Sequence, residues 1–216
     1  MRIPKIIHLI WIGGEKPKIF DYFLSEIKRI NNDYEIIEWS DNNINFELKN
    51  KFLYENTTNL GGKSDILRFE VLSKFGGIYM DYDFLQIKKF DDLLDYDFFA
   101  GTNEKAPKEI WNSLIGATPK NPICEKFVSD LSFIKPINRN EIDRVMNETG
   151  PHYLTKLIYE NKWECNYKIF IGSEFFPFPL EDRFMIRKFT NEDIEHIRSF
   201  KTDNTYCIHF HTTSWL

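Results

Sequence analysis

The stretch from Gly61 to Asp83 limits the fold more than any other part of the chain. Ile66, Leu67, Val71, Leu72 and Phe75 recur at a helical period, which predicts a helix with one broad apolar stripe. Gly76-Gly77 stops it, because glycine reaches backbone conformations closed to other residues. Ile78-Tyr79-Met80 then reads as a short strand, and Asp81 and Asp83 follow where it ends. Strand side chains alternate, so the two carboxylates are expected on one side and Tyr82 on the other.

Two converging carboxylates repel one another, and a divalent cation relieves the conflict. Carboxylate oxygen suits Mg²⁺ or Mn²⁺. The plainer reading of Asp-x-Asp is an acidic turn at the edge of a sheet. Asp65 and Arg68 lie three apart on the preceding helix and so face the same way. They fit either a solvated ion pair or a donor–acceptor pair that reads sugar hydroxyls.

Elsewhere the pattern alternates strand and helix. Ile6 to Ile12 is nearly all apolar, as expected of a strand buried on both faces, and a helix follows from about Pro17 to Ile30. Tyr34 to Trp39 forms a second strand, so a parallel strand–helix–strand unit opens the chain, with ligands expected at the carboxyl ends of the strands. Further strands are expected near 84–87, 98–101 and 111–117, and helices over 122–133 and from Pro151 to Tyr159. For Thr149-Gly150-Pro151, helix capping is a sufficient explanation. His8 reads as a satisfied core residue. Phe175 to Leu180, rich in aromatics and proline, reads as a groove wall or a patch on a membrane surface.

Bulk properties narrow the function. The 216 residues suffice for one core, and one catalytic domain spanning 1–216 is expected. A net charge of −5 speaks against nucleic acid as a partner. Cys124, Cys165 and Cys207 are too scattered for a disulfide framework, which favours a reducing compartment. The apolar run at the start is too short to span a bilayer. A cytoplasmic location is expected, at the cytoplasmic face of a membrane if the acceptor is lipid-linked. In the tail, alternation puts Cys207, His209 and His211 on one face, but a zinc site would need further ligands.

Ser64-Asp65-Ile66-Leu67-Arg68, together with Gly76-Gly77-Ile78-Tyr79-Met80-Asp81-Tyr82-Asp83, resembles the motif of glycosyltransferase family thirty-two. That family holds initiating mannosyltransferases and capsule transferases and is related to clostridial glucosylating toxin domains. The resemblance implies a GT-A-type, Rossmann-like α/β fold: a central, mostly parallel sheet flanked by helices. It also implies a metal-dependent transferase that retains anomeric configuration. The donor would be a nucleotide sugar, UDP- or GDP-linked, and the acceptor a glycan or a lipid-linked sugar, as in surface polysaccharide synthesis.

By the same resemblance Trp11 stacks on the base, a role set against that of a core tryptophan. Asp65 and Arg68 grip the sugar and Tyr79 supports the pocket. Asp81 binds hydroxyls and a metal-bound water, and Asp83 takes Mn²⁺ or Mg²⁺ directly. Asn112 faces the donor sugar or is a turn residue, and Ser214 and Trp215 cover the diphosphate. His209 completes the metal site by its spacing from Ser-Trp, with His211 as the alternative. A haloacid-dehalogenase-like phosphohydrolase also ends a strand in Asp-x-Asp, but it wants Thr or Val where Leu85 stands. An inactive sugar-binding relative is the non-catalytic alternative.

Overall fold

The computed structural model describes residues 1–103, 106–179, 181 and 190–212. In chain order the elements are β1 (Ile6–Ile10), α1 (Ile19–Ile30), β2 (Glu35–Trp39), α2 (Lys51–Asn56), α3 (Leu60–Phe75), β3 (Gly77–Met80), β4 (Phe84–Gln86), β5 (Phe98–Asn103), β6 (Ala106–Ala117), α4 (Pro122–Asp130), α5 (Ile142–Arg144), α6 (Pro151–Glu160), β7 (Tyr167–Ile171), α7 (Asn191–Arg198) and β8 (Cys207–His209). A π-helical turn, Val145–Thr149, joins α5 to α6.

Six strands form the central sheet in the order β2-β1-β3-β6-β5-β7. The pairs β1–β2, β1–β3 and β5–β7 are parallel, whereas β6 runs antiparallel to both its neighbours. Consecutive residues of the central strands feed opposite cores. Ile78 and Met80 of β3 pack with Phe23 and Ile27 of α1, while Tyr79 packs on the side of α3, α4 and α6. This is the layering expected of strands buried on both faces. A separate two-stranded sheet pairs β4 with β8, setting Phe84 opposite His209.

Helix α3 departs from the expected single stripe, since every side chain from Asp65 to Ser73 is buried. The polar members tolerate this because each has partners. Glu70 accepts the backbone N–H of Lys49 at 3.1 Å and that of Asn50 at 2.8 Å, and Ser73 hydrogen-bonds Glu125. The solvated alternative for Asp65 and Arg68 fails for the same reason, as both are buried.

The glycine stop is sterically required. Gly76 has φ +64°, and a Cβ there would lie 2.5 Å from Pro119 Cδ. Its carbonyl meets His8 Nε2 at 2.8 Å, while Trp39 Nε1 donates to His8 Nδ1 at 3.1 Å. With one ring nitrogen accepting, His8 is neutral, and burial lowers its pKa to about 4. It is the satisfied core residue that the sequence led us to expect.

Phe175, Phe176 and Phe178 are no surface patch or groove wall: they are at most 2% exposed. Gly101 leaves the space that the Phe175 and Phe176 rings occupy, so the segment closes the core beside β5 instead of facing a membrane. Among the described residues no helix is long and apolar enough to cross a membrane.

Candidate active site

Strand β3 ends at Met80, so Asp81 to Asp83 lie in the turn leading to β4 and not on the strand itself. The turn still brings the carboxylates together. Tyr82 points away, donating its hydroxyl to Glu38 at 2.8 Å. Because β4 pairs with β8, His209 arrives opposite the second carboxylate: its Nε2 lies 3.0 Å from Asp83 Oδ1 and 3.8 Å from Asp81 Oδ2. One potential ligand atom from each of Asp81, Asp83 and His209 falls within 4.8 Å of the others. Two carboxylate oxygens and an imidazole nitrogen make a donor set that fits a divalent ion.

The electrostatics are lopsided. Burial would raise the pKa of Asp83, yet the facing His209 and the N–H and hydroxyl of Thr212, both at 2.8 Å from Oδ2, hold it well below the usual carboxylate range. Burial resists a charge on His209, but Asp83 and Asp81 outweigh it and raise its pKa. Asp81 is raised by burial despite the pull of Arg68. His211 turns elsewhere. Its backbone has φ +56° and its Nε2 meets the Phe178 carbonyl at 3.3 Å.

Asp65 and Arg68 form the second cluster. Asp65 Oδ1 lies 3.2 Å from Arg68 Nη2 and accepts Asn112 Nδ2 at 2.9 Å. Arg68 Nη1 donates to the Asn112 carbonyl at 2.6 Å, and its guanidinium covers the Tyr79 ring at 4.3 Å. The Tyr79 hydroxyl binds Asp81, which ties the two clusters together. Burial lifts the Asp65 pKa to about 7, against the pull of Arg68, Thr149 and Asn112.

Both clusters and Trp11 line one cavity of about 500 Å³. The Trp11 ring rests on Phe20 at 5.2 Å, so this tryptophan packs against the core on one side and lines the cavity on the other. Trp11 Nε1, Tyr54 Oη, Arg68 Nε, Ser113 Oγ and His209 Nδ1 are buried without a hydrogen-bond partner among the described residues. All but Tyr54 belong to residues lining this cavity. Buried polar groups are normally satisfied, so their convergence marks a surface built to take polar ligand atoms.

The structure therefore brings together Trp11, Asp65, Arg68, Tyr79, Asp81, Asp83, Asn112 and His209. Ser214 and Trp215 lie outside the described residues. Sequence reasoning missed Thr212, which fixes Asp83, and undervalued Thr149, whose hydroxyl lies 3.1 Å from Asp65 Oδ2. Nothing in Thr149-Gly150-Pro151 beyond helix capping signals this contact, since Asp65 lies 84 residues away.

Comparison with known proteins agrees with this geometry. Residues 17–100 match the family model of the glycosyltransferase sugar-binding region containing DXD motif. An uncharacterized glycosyltransferase, L373, of Acanthamoeba polyphaga mimivirus is 29% identical over 158 residues, covering 68% of this chain and 61% of the relative. The mannosyl phosphorylinositol ceramide synthase SUR1 of Saccharomyces cerevisiae is 26% identical over 158 residues, covering 71% of this chain and 41% of the synthase. The chain thus spans only part of the length of either relative. The solved PaToxG glycosyltransferase superposes with a TM-score of 0.59 at 24% identity, covering 74% of this chain and 69% of that one. The fold of the chain is of the GT-A type.

Proposed function

We propose that the protein is a glycosyltransferase of family thirty-two that moves a hexose from a UDP- or GDP-linked donor to a hydroxyl of a glycan or lipid-linked acceptor. One observation carries the reading. Asp81, Asp83 and His209 converge on the wall of the cavity that also holds Trp11, Asp65 and Arg68.

On this reading Trp11 lies against the base, and the Asp65–Arg68–Asn112 cluster grips the sugar while Tyr79 braces Arg68 and Asp81. Asp83, Asp81 and His209 would hold Mn²⁺ or Mg²⁺, with His209 preferred over His211 because His209 faces the carboxylates and His211 faces the Phe178 carbonyl. When bound, the ion supplies Lewis-acid relief of the charge that gathers on a departing diphosphate. The Thr212 contacts keep Asp83 ionised and oriented. Arg68 adds the cavity's own positive charge near the sugar.

We assign retention of configuration. The bond from the anomeric carbon to the diphosphate oxygen breaks, the acceptor oxygen bonds to that carbon on the same face, and the acceptor proton leaves on the diphosphate. The test is incubation with UDP- and GDP-hexoses and Mn²⁺, with p-nitrophenyl phosphate in parallel. Slow hydrolysis of a sugar nucleotide, read by mass spectrometry, is the expected result. Rapid phosphate release with every sugar nucleotide intact would overturn the reading in favour of a phosphohydrolase.

A further inference from the structure

We propose that Thr149 is a positioning residue for the sugar-gripping carboxylate: its hydroxyl orients Asp65 so that the remaining acceptor position of Oδ2 takes a hydroxyl of the transferred sugar. The inference rests on the transferase reading above and adds to it the receiving atom and the residue that sets that atom's direction.

An ionised carboxylate offers about four acceptor positions, two per oxygen. On Asp65, Oδ1 accepts Asn112 Nδ2 at 2.9 Å and has the Arg68 guanidinium against it at 3.2 Å, with Arg68 Nη2 hydrogen-bonded to Ser64 Oγ. Among the described residues Oδ2 accepts only the Thr149 hydroxyl, at 3.1 Å. An acceptor position is therefore left on Oδ2, the oxygen not faced by Arg68, in a side chain that lines the cavity.

The Thr149 hydroxyl has a single proton and two acceptors in reach, Asp65 Oδ2 and the Val145 carbonyl at 3.2 Å. The Val145 carbonyl already receives the Gly150 N–H at 2.7 Å. When Asp65 is ionised, this charged acceptor takes the proton, since hydrogen bonds to ionised groups are about twice as strong.

Local structure is arranged around this contact. Thr149 is fully buried at the end of the π-helical turn Val145–Thr149, a rare form often found at functional sites. Gly62 of α3 lets that turn approach, because a Cβ there would meet Val145 Cγ2 at 3.3 Å and Thr149 Oγ1 at 3.7 Å. The same turn presents Val145 and Met146 to the cavity. It thus shapes one wall and fixes Asp65 in the other.

The experiment compares wild type with Thr149→Val and Thr149→Ser. Each is titrated calorimetrically with UDP-glucose and GDP-mannose, and separately with UDP and GDP, in Mn²⁺, and KM and kcat are measured on the donor that turns over. Thr149→Val is expected to weaken the intact donor about tenfold, mostly in KM, on the scale of one hydrogen bond to a charged group. Affinity for the free nucleoside diphosphate should be unchanged, and Thr149→Ser should restore the donor. Unchanged donor affinity in Thr149→Val, or equal losses for donor and diphosphate, would overturn the positioning role. If Thr149→Val does not fold, Thr149→Ala is read in the same way. If wild type binds no sugar nucleotide, the transferase reading fails and takes this inference with it; if wild type binds one and the variants do not differ, only this inference fails.

Discussion

Asp65 and Arg68 lie three residues apart on one helix, whereas Asp83 and His209 are separated by 126 residues, yet both pairs face the same cavity. The first pair is internally balanced. Its carboxylate and guanidinium meet each other, Asn112 and Thr149 add hydrogen bonds, and Arg68 Nε has no partner among the described residues. The second site carries excess negative charge: two carboxylates face one imidazole, whose other nitrogen has no partner among the described residues. A balanced cluster can recognise neutral hydroxyls without a cofactor, while an unbalanced one can take a cation. On the proposed function, the contrast separates sugar recognition from charge handling within one cavity.

The strongest way to break the comparison is to remove one half of the balanced pair. Arg68→Met leaves Asp65 buried without its cation, which should cost about 3–5 kcal/mol of stability. Chemical denaturation would show the loss; a midpoint matching wild type would mean that the pair is not balanced as described. At the other site the expected damage falls on chemistry. Asp83→Asn should lower turnover by at least about 10²-fold and abolish Mn²⁺ binding by calorimetry, with the fold retained but the unfolding midpoint lowered, since Asn lacks the charge that faces His209. Retained metal-dependent turnover would remove Asp83 from its assigned role.

A histidine outside both clusters sharpens the contrast. His8 is buried and neutral, with its pKa lowered to about 4 from 6.5. In that window the unfolded chain binds a proton that the folded chain refuses, so stability is full above pH 6.5 and falls as pH drops towards 4. The loss attributable to His8 is about 3 kcal/mol. Denaturation at several pH values should show that slope, flattened in His8→Gln; identical slopes would remove His8 as the cause. The smallest effect concerns the base. Trp11→Ala should weaken nucleoside diphosphate binding by about 1–3 kcal/mol while leaving Mn²⁺ affinity unchanged, and equal affinities would exclude stacking.

The layering of strands and helices was legible because apolar periodicity and the Gly76-Gly77 stop are local properties. The acidic pair was legible as a pair, although it sits in a turn and not on the strand. Three features needed the structure. Helix α3 is buried all round because its polar residues find partners in distant segments, such as Asn50 for Glu70 and Glu125 for Ser73. The Phe175 to Phe178 segment reads as surface by its prolines, but its rings fill the space beside Gly101. Alternation put His209 and His211 on one face, but it is His209 that meets Asp83 at hydrogen-bond distance; His211, with its positive φ, lines the same cavity and meets the Phe178 carbonyl. Long-range pairing leaves no periodic trace in a sequence.

The short ladder between β4 and β8 also bears on the order of folding. Contacts between neighbouring segments form early, and closing a long loop comes at a greater entropic cost. Helix α3 and β3 can dock while His209 is still far away, so a half-folded chain holds two bare carboxylates with no imidazole to face them. A chain arrested before β8 adds would keep the Asp65–Arg68 cluster but lack the imidazole that faces Asp83.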